Sequence, residues 1–180
     1  MFGDHITAYI GLGSNLGDRA GHLLLAVRGL LEASFDVTKL SAIYETEPIG
    51  LGGDAACFLN MAAEVRVRSD LKPSQMMARL LRIEYVLGRR DKSLKKPRTI
   101  DLDILFFGRQ VIETPFVTVP HPRLHLRRFV LVPMAEIAPS FVHPVFKKDI
   151  QQLLGECGDT GQVSRWNPGA RHDVSPALIG

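Results

Sequence analysis

Residues 96–107 read Lys96-Pro-Arg-Thr-Ile-Asp-Leu-Asp-Ile-Leu-Phe-Phe107. The Ile, Leu and Phe residues indicate a β-strand, in which residues two positions apart point to the same face. Asp101 and Asp103 should therefore lie side by side, roughly 6.5–7 Å apart along the strand. At an effective dielectric constant of about 20, two carboxylates at that distance repel each other by about 2 kcal/mol.

This pair of aspartates predicts a metal site. A divalent cation turns the repulsion into attraction, and hard oxygen ligands suit Mg²⁺. The alternative is a solvent-facing edge strand. The apolar residues that alternate with the aspartates indicate that the opposite face of the strand belongs to the core, which leaves both acids on the open face.

Residues 89–98 form a strongly basic segment, with six Lys or Arg and one Asp among ten residues. The segment carries a net charge of +5 and the whole chain +3, so the other residues sum to −2. This concentration predicts a local anion site, because nucleic-acid binders more often spread their basic residues over a face or a helix. Next to two acids, it favours transfer from a nucleoside triphosphate. A solvated linker is the alternative.

The composition is that of one globular domain: 180 residues, of which 46% are hydrophobic and 23% charged. We expect this domain to span residues 1–155, with residues 156–180 as a peripheral tail. No apolar run approaches the ~20 residues that span a bilayer, and no signal-peptide pattern is present. Cys57 and Cys157, the only cysteines, do not indicate a disulfide framework or a zinc site. The sequence predicts a cytoplasmic monomer with no membrane or nucleic-acid partner.

Apolar periodicity predicts alternating strands and helices. Strands are expected near residues 5–13, 37–44, 58–67 and around Asp101 and Asp103, and helices near residues 19–33, 71–87 and 128–137. The apolar stripe of the first helix is expected to contain Leu23, Leu24, Val27, Leu30 and Leu31. This order predicts an α+β fold, a ferredoxin-like split βαβ sandwich with a mainly antiparallel sheet and helices packed on one side.

The glycine-rich segment 11–17 does not have the spacing of a dinucleotide fingerprint or a phosphate loop. It predicts a tight turn, after which Asn15 or Asp18 caps the first helix. Gly88 is expected to end the second helix.

Other polar and aromatic positions are candidates for binding. On a strand, Phe58 and Asn60 share a face, where a ring could stack on a flat heterocycle and an amide could read its edge; a core Phe and a surface Asn are the alternative. His121 and Arg127 could contact phosphate, or belong to a turn before the third helix. Glu84 could accept hydrogen bonds from a ribose, although a solvated helix glutamate is the first expectation.

Together, these segments resemble the family of 6-hydroxymethyl-7,8-dihydropterin pyrophosphokinases. The resemblance covers about residues 6–155 and is carried by residues 9–17, 44–50, 58–60, 97–105 and 119–129. It implies transfer of the diphosphoryl group from ATP to 6-hydroxymethyl-7,8-dihydropterin, giving AMP and the pterin diphosphate. It also implies ATP as co-substrate and two Mg²⁺ ions.

The resemblance assigns roles to individual residues. It implies metal ligation by Asp101 and Asp103, and catalytic roles for Arg89, Arg98 and Asp101. It implies ATP binding by Glu84, Arg98, Ile104, His121 and Arg127. It implies pterin binding by Thr46, Pro48, Ile49, Phe58, Asn60 and Phe129. The Arg-Trp-Gly of many members is replaced here by Leu94-Lys95-Lys96, so the roles of Arg90, Lys92, Lys95 and Lys96 stay open. The competing functions are a non-catalytic nucleotide- or RNA-binding ferredoxin-like domain and a Mg²⁺-dependent kinase that releases ADP.

Overall fold

A computed structural model describes residues 4–46, 57–89 and 97–169. Its strands are β1 (His5–Ser14), β2 (Asp36–Leu40), β3 (Tyr44–Thr46), β4 (Phe58–Arg68), β5 (Asp101–Phe107), β6 (Ile112–Glu113), β7 (Thr118–Val119) and β8 (Val163–Arg165). Its helices are α1 (Arg19–Glu32), α2 (Pro73–Val86), α3 (Arg128–Ile137) and α4 (Ile150–Glu156), with a 3₁₀ turn at Leu124–Leu126. Within these ranges, no helix has the length and apolar character needed to cross a bilayer.

The main sheet confirms the predicted ferredoxin-like topology. β1 is the central strand and pairs antiparallel with both β4 and β5, while β2 pairs antiparallel with β4. With α1 between β1 and β2, and α2 between β4 and β5, this is a split βαβ arrangement. β3 pairs with the other end of β4, and β8 pairs with β3 at the sheet edge.

Helices cover both faces of the sheet, so the expectation that they pack on one side is wrong. One core contains Ile10 and Leu12 of β1 together with side chains of α1 and α2. The second core contains Tyr9 and Phe106 together with side chains of α3 and α4, such as Leu131. Successive strand residues point to opposite faces, and a strand such as β5 is apolar from position 104 to 107 because both of its faces are buried there.

The predicted strand 37–44 is in fact two strands, β2 and β3. Between them, Ser41 replaces part of the ladder: its Oγ accepts a hydrogen bond from the Ala62 amide at 2.9 Å and donates to the Ala42 carbonyl at 2.8 Å. A side-chain hydroxyl that bonds nearby backbone competes with regular pairing. The break lets β3 follow the far end of β4.

The apolar stripe of α1 is narrower than predicted. Leu23, Ala26 and Leu30 are buried, as expected for positions i, i+3 and i+7 on one helix face. Leu24 and Leu31 each lie one position beyond a buried leucine, about 100° round the helix, and their exposed fractions are 63% and 56%. Their inclusion in the stripe is therefore wrong.

The helix ends follow the sequence signals. Asp18 caps α1, since its side chain accepts a hydrogen bond from the Gly21 amide at 3.0 Å. Gly88, with φ of +94°, follows α2, as predicted for a residue that ends a helix in the left-handed region. α3 begins at Arg128 and ends at Ile137, the predicted bounds.

Residues 156–180 are predicted to be peripheral, yet part of this segment joins the main sheet. Val163–Arg165 forms β8, and Trp166 packs against the core beneath α1 and α2. The sequence offers little warning, because a three-residue strand has no measurable periodicity.

His143 is expected to make the stability of the fold sensitive to mild acid. Its ring is buried, and its Nδ1 accepts hydrogen bonds from the amides of Val145 and Phe146 at 3.1 and 3.2 Å. Burial, and secondarily His125, lowers the pKa of His143 from 6.5 to about 4. Between these values the unfolded chain binds a proton that the folded chain does not. The free energy of unfolding should therefore fall as the pH falls, by about 2 kcal/mol from pH 7.5 to pH 5.

Urea unfolding at the two pH values checks this prediction. His143→Asn keeps an acceptor oxygen for the two amides and cannot titrate, so its pH-dependent loss of stability should be smaller than that of the wild type. Equal losses in the two proteins would contradict the assignment.

Candidate active site

The candidate site lies on the sheet face that α3 covers, at the end of the three central strands. Gly13 of β1 is paired with Asp101 of β5 on one side and with Asn60 of β4 on the other. A Cβ built on Gly13 would lie 3.0 Å from Oδ1 of Asn60. The glycine thus provides a flat floor between the predicted metal site and the predicted pterin site.

The two aspartates share a face, as the strand pattern predicts. Their side chains are 17% and 30% exposed, whereas Leu102 and Ile104 between and after them are buried in the core. Asp101 contacts Arg89 and also forms an ion pair with Arg98, with Nη2 and Oδ2 2.9 Å apart. Oδ2 of Asp103 lies 3.9 Å from Nε2 of His121. The acids are therefore surrounded by cationic and polar groups.

Glu84 is buried, so the expectation of a solvated helix glutamate is wrong. The residue is only 2% exposed, and its Oε1 accepts a hydrogen bond from the Leu102 amide at 2.6 Å. The same oxygen lies 3.2 Å from Nη1 of Arg89, which also donates to the Ile100 carbonyl at 3.3 Å. Because Gly88 turns the chain at the end of α2, Arg89 points back beneath β5 and connects Glu84 with Asp101.

Arg98 links the acids to the first aromatic residue of β4. The guanidinium carbon of Arg98 lies 5.5 Å from the centroid of the Phe58 ring. The same guanidinium group forms the ion pair with Asp101. Its Nε is buried and has no hydrogen-bond partner among the described residues. A buried donor in this position is available to a ligand oxygen.

Asn15 contacts the backbone of a candidate site residue, which the sequence analysis did not predict. Its Oδ1 accepts from the Arg98 amide at 2.8 Å, and its own amide donates to the Arg98 carbonyl at 3.2 Å. The glycine-rich turn therefore holds the backbone of Arg98. Asp18, not Asn15, caps α1. The unusual turn was visible in the sequence, but its partner lies 83 residues away.

The predicted pterin residues lie close to this cluster. Asn60 and Thr46 are buried, and Nδ2 of Asn60 donates to Oγ1 of Thr46 at 2.9 Å. Phe58 is paired with Thr46 across β4 and β3 and is partly buried. Phe129 lies in the first turn of α3, where the Arg127 guanidinium carbon is 5.5 Å from its ring centroid. Pro48, Ile49, Arg90, Lys92, Lys95 and Lys96 lie outside the described residues.

The other predicted ATP contacts are His121, Arg127 and Ile104, and they differ in which of their atoms a ligand can reach. His121 and Arg127 are partly buried, and both lie on the aspartate side. Burial lowers the pKa of His121, Asp103 opposes this effect, and Arg127 and Arg123 add to it. Burial likewise lowers the pKa of Arg127. The Ile104 side chain belongs to the core, so only its backbone is available for contact with ATP.

In the neutral form of His121, the hydrogen bond to Nδ1 determines which ring nitrogen carries the hydrogen. Its Nδ1 accepts a hydrogen bond from the Arg123 amide at 3.2 Å, which assigns the ring hydrogen of the neutral imidazole to Nε2. Nε2 is the atom that faces Asp103. At neutral pH, His121 therefore presents a hydrogen-bond donor to the site.

The two aspartates suit a Mg²⁺ ion whose remaining ligands come from substrate phosphates, rather than a metal ion held by protein side chains alone. Among the described residues, no group of three or more His, Cys, Asp or Glu could hold a metal ion. Mg²⁺, however, is commonly bound by one or two carboxylates together with substrate phosphates. Two partly exposed carboxylates on one strand face match this requirement.

Comparison with known proteins identifies the family. The sequence model of 7,8-dihydro-6-hydroxymethylpterin-pyrophosphokinase (HPPK) matches residues 9–139. The chain belongs to this family. The HPPK of Bacillus subtilis is 50% identical over 131 residues, which are 72% of this chain and 77% of the relative. That of Aquifex aeolicus is 35% identical over 150 residues, 83% of this chain and 91% of the relative.

HPPK members transfer a pyrophosphoryl group from ATP to hydroxymethyldihydropterin in folate biosynthesis, and this is the activity of the chain. The resemblance noted from the sequence is thus confirmed. Neither the non-catalytic binding domain nor the ADP-forming kinase agrees with this membership.

Solved structures support the fold. An HPPK-DHPS structure in complex with substrates matches with a TM-score of 0.65 at 15% identity, covering 85% of this chain and 43% of that one. A Plasmodium falciparum HPPK-DHPS structure matches with a TM-score of 0.67 at 15% identity, covering 85% and 44%. The chain therefore spans less than half of these neighbours, and the likeness concerns the HPPK fold.

Proposed function

We propose that diphosphoryl transfer occurs on the face formed by Asp101 and Asp103, with ATP on the aspartate side of Gly13 and the pterin on the Asn60 side. The observation that carries this proposal is the Arg98 side chain, which joins Asp101 to the Phe58 ring. One side chain thus spans the boundary between a phosphate site and an aromatic site. The hydroxymethyl group and the β-phosphate must meet at that boundary.

Asp101 and Asp103 are the proposed ligands of two Mg²⁺ ions. When bound, Mg²⁺ offsets the negative charge of the triphosphate and makes the β-phosphorus more electrophilic. Arg89 and Arg98 then exchange part of their contact with Asp101 for phosphate oxygens. The buried Nε of Arg98, which lacks a partner among the described residues, is a natural donor for one of them.

His121 and Arg127 complete the proposed phosphate site. Neutral His121 donates Nε2–H to a phosphate oxygen, and Arg127 supplies a positive charge whose attraction for phosphate is stronger in a partly buried site than in water. In the reaction, the pterin hydroxyl oxygen forms a bond to the β-phosphorus as the bond from the β-phosphorus to the oxygen that bridges it to the α-phosphorus breaks. AMP leaves with the electron pair. Asp101 is the nearest candidate to accept the hydroxyl proton.

The pterin is proposed to lie between the rings of Phe58 and Phe129, with Asn60 reading its edge. The hydrogen bond to Thr46 fixes the Asn60 amide, so Oδ1 and the second N–H of Nδ2 are directed elsewhere. An oriented amide presents one acceptor and one donor side by side, which matches the edge of a pterin. Pro48 and Ile49 remain proposed contacts from the adjacent loop, and we propose that the enzyme acts as a cytoplasmic monomer.

Asn60→Ala tests the pterin site. Removal of the amide should raise the KM for the pterin by roughly 10–100-fold, since a lost pair of buried hydrogen bonds costs about 1–3 kcal/mol. The KM for ATP should change less than about twofold, because the phosphate site does not contain Asn60. Asn167→Ala, which removes a surface amide that accepts from the Gly169 amide, is the control. Equal changes in the two KM values would argue against the assignment.

The nucleotide product tests the reaction itself. Purified protein incubated with ATP, Mg²⁺ and 6-hydroxymethyl-7,8-dihydropterin should release AMP in a pterin-dependent manner, without ADP. ADP would indicate transfer of the γ-phosphoryl group alone. Salt-dependent RNA binding without ATP turnover would instead favour a nucleic-acid module.

A further inference from the structure

The C-terminal segment, defined here as residues 159–166, contacts two elements of the proposed pterin site. We infer that it positions both walls of that site: Asp159 acts through the start of α3, which carries Phe129, and β8 acts through β3, which carries Thr46. The inference rests on the proposed pterin site. It gives a function to a segment for which the sequence predicts only a peripheral tail.

The first contact compensates for an unfavourable start of α3. Arg127 precedes the helix and makes no side-chain cap, and the first turn contains no acidic residue. Arg127 and Arg128 instead place positive charge where the helix dipole favours negative charge. Oδ2 of Asp159 accepts a hydrogen bond from the Arg128 amide at 2.9 Å. A residue 31 positions away thus supplies the missing cap next to Phe129.

The second contact supports a very short strand. β3 has three residues, which is too short for stability without neighbours on both edges. β8 pairs with it antiparallel, so that Thr46 lies opposite Val163 and Tyr44 opposite Arg165. The Trp166 amide extends the ladder by donating to the Ile43 carbonyl at 2.9 Å. Because Thr46 orients the Asn60 amide, the placement of β3 determines how that amide faces the ligand.

Glu136 of α3 connects the two contacts. Its Oε2 accepts from the Ala42 amide and from the Tyr44 hydroxyl, both at 2.9 Å. Its Oε1 lies 3.5 Å from Nη2 of Arg165 in β8. α3, β3 and β8 therefore form one linked unit, and the C-terminal segment contacts that unit at two separate points.

Asp159→Ala is the first test, with Asp149→Ala as its matched control. Asp149 caps α4, since its side chain accepts from the Gln152 amide at 2.8 Å, so both variants remove one carboxylate from a helix N-terminus. We expect Asp159→Ala to raise the KM for the pterin by about fivefold, the factor that corresponds to loss of a typical cap. Asp149→Ala should lower the melting temperature to a similar extent and leave the KM for the pterin unchanged.

Deletion of residues 163–180, compared with deletion of residues 170–180, tests the β8 contact. Only the longer deletion removes β8 and Trp166, so only it should weaken pterin binding measured by calorimetry with a non-hydrolysable ATP analogue. If the longer deletion does not fold, Asp159→Ala decides the question. Equal rises in the KM for pterin and ATP, or equal effects of Asp159→Ala and Asp149→Ala, would overturn the inference.

Asn60→Ala and Phe58→Ala in the same assay separate this inference from the proposal on which it rests. If neither raises the KM for the pterin, the pterin site itself is wrongly placed. If both raise it and Asp159→Ala does not, the site stands and only the role of the C-terminal segment is lost.

Discussion

Asp103→Asn is expected to lower kcat by at least about 10³-fold, because stabilisation of a transferring phosphoryl group by charge is commonly the largest part of its catalysis. Asn keeps the size of the side chain and one oxygen but removes the negative charge that binds a cation. The fold should tolerate the change, since the Asp103 side chain is 30% exposed and Asn keeps an oxygen that can face Nε2 of His121. Relief of repulsion between Asp101 and Asp103 offsets part of the attraction to His121 and Arg127 that is lost.

The measurement is kcat across a range of Mg²⁺ concentrations, together with the free energy of unfolding in urea. Asp36→Asn is the matched control, because Asp36 also lies on a strand and forms an exposed ion pair with Arg66. The control should keep full activity, and chelation of divalent cations should inactivate the wild type. Near-normal turnover of Asp103→Asn at all Mg²⁺ concentrations would exclude Asp103 as a required ligand.

The features predicted correctly from sequence are those that local periodicity determines. Alternation along β5 placed Asp101 and Asp103 on the face opposite Leu102 and Ile104, and the structure agrees. The bounds of α3 and the role of Gly88 followed from helix periodicity and from the conformational freedom of glycine. Each of these signals lies within a few residues of the feature that it predicts.

The features that were missed depend on partners distant in sequence. Glu84 lies at the edge of the apolar face of α2, where periodicity alone cannot separate a solvated carboxylate from a buried one. Its buried position is made possible by two contacts: the hydrogen bond that it accepts from the Leu102 amide of β5 and its ion pair with Arg89. Asn15 holds Arg98, and β8 completes an edge of the sheet next to β3. In each case tertiary contacts, which local propensity does not encode, decide the role.

Packing on both faces was missed for a related reason. The order of strands and helices explains α1 and α2, which connect strands of the split βαβ units. α3 and α4 come after the last of those strands, so the order of elements does not say which face they cover. Tyr9 and Phe106 place large apolar side chains on the second face of the sheet, and α3 and α4 bury them by packing on that face.

Replacement of Glu84 by Leu should be the most destabilising of the substitutions considered. The Glu84 side chain is 2% exposed and that of Arg89 is 5% exposed, so the pair lies beyond the reach of solvent. Removal of one partner of a buried ion pair typically costs about 3–5 kcal/mol, and among the described residues Arg89 would keep its contacts with Asp101 and the Ile100 carbonyl. Leu has a volume suited to the core but cannot accept the Leu102 amide hydrogen bond. We therefore expect the free energy of unfolding to fall by several kcal/mol.

Activity should fall in the same variant, because Arg89 connects Glu84 with Asp101. Urea unfolding gives the stability, and kcat measured well below the unfolding midpoint gives the effect on Arg89. Glu84→Gln separates the two causes, since Gln still accepts from the Leu102 amide but does not pair with Arg89 as an anion. Glu32→Gln, in the exposed pair with Arg28 on α1, is the control and should change stability by less than about 0.5 kcal/mol. If Glu84→Leu were as stable as this control, the buried pair would not be a structural requirement, and Arg89 would have to be positioned by Asp101 and the backbone alone.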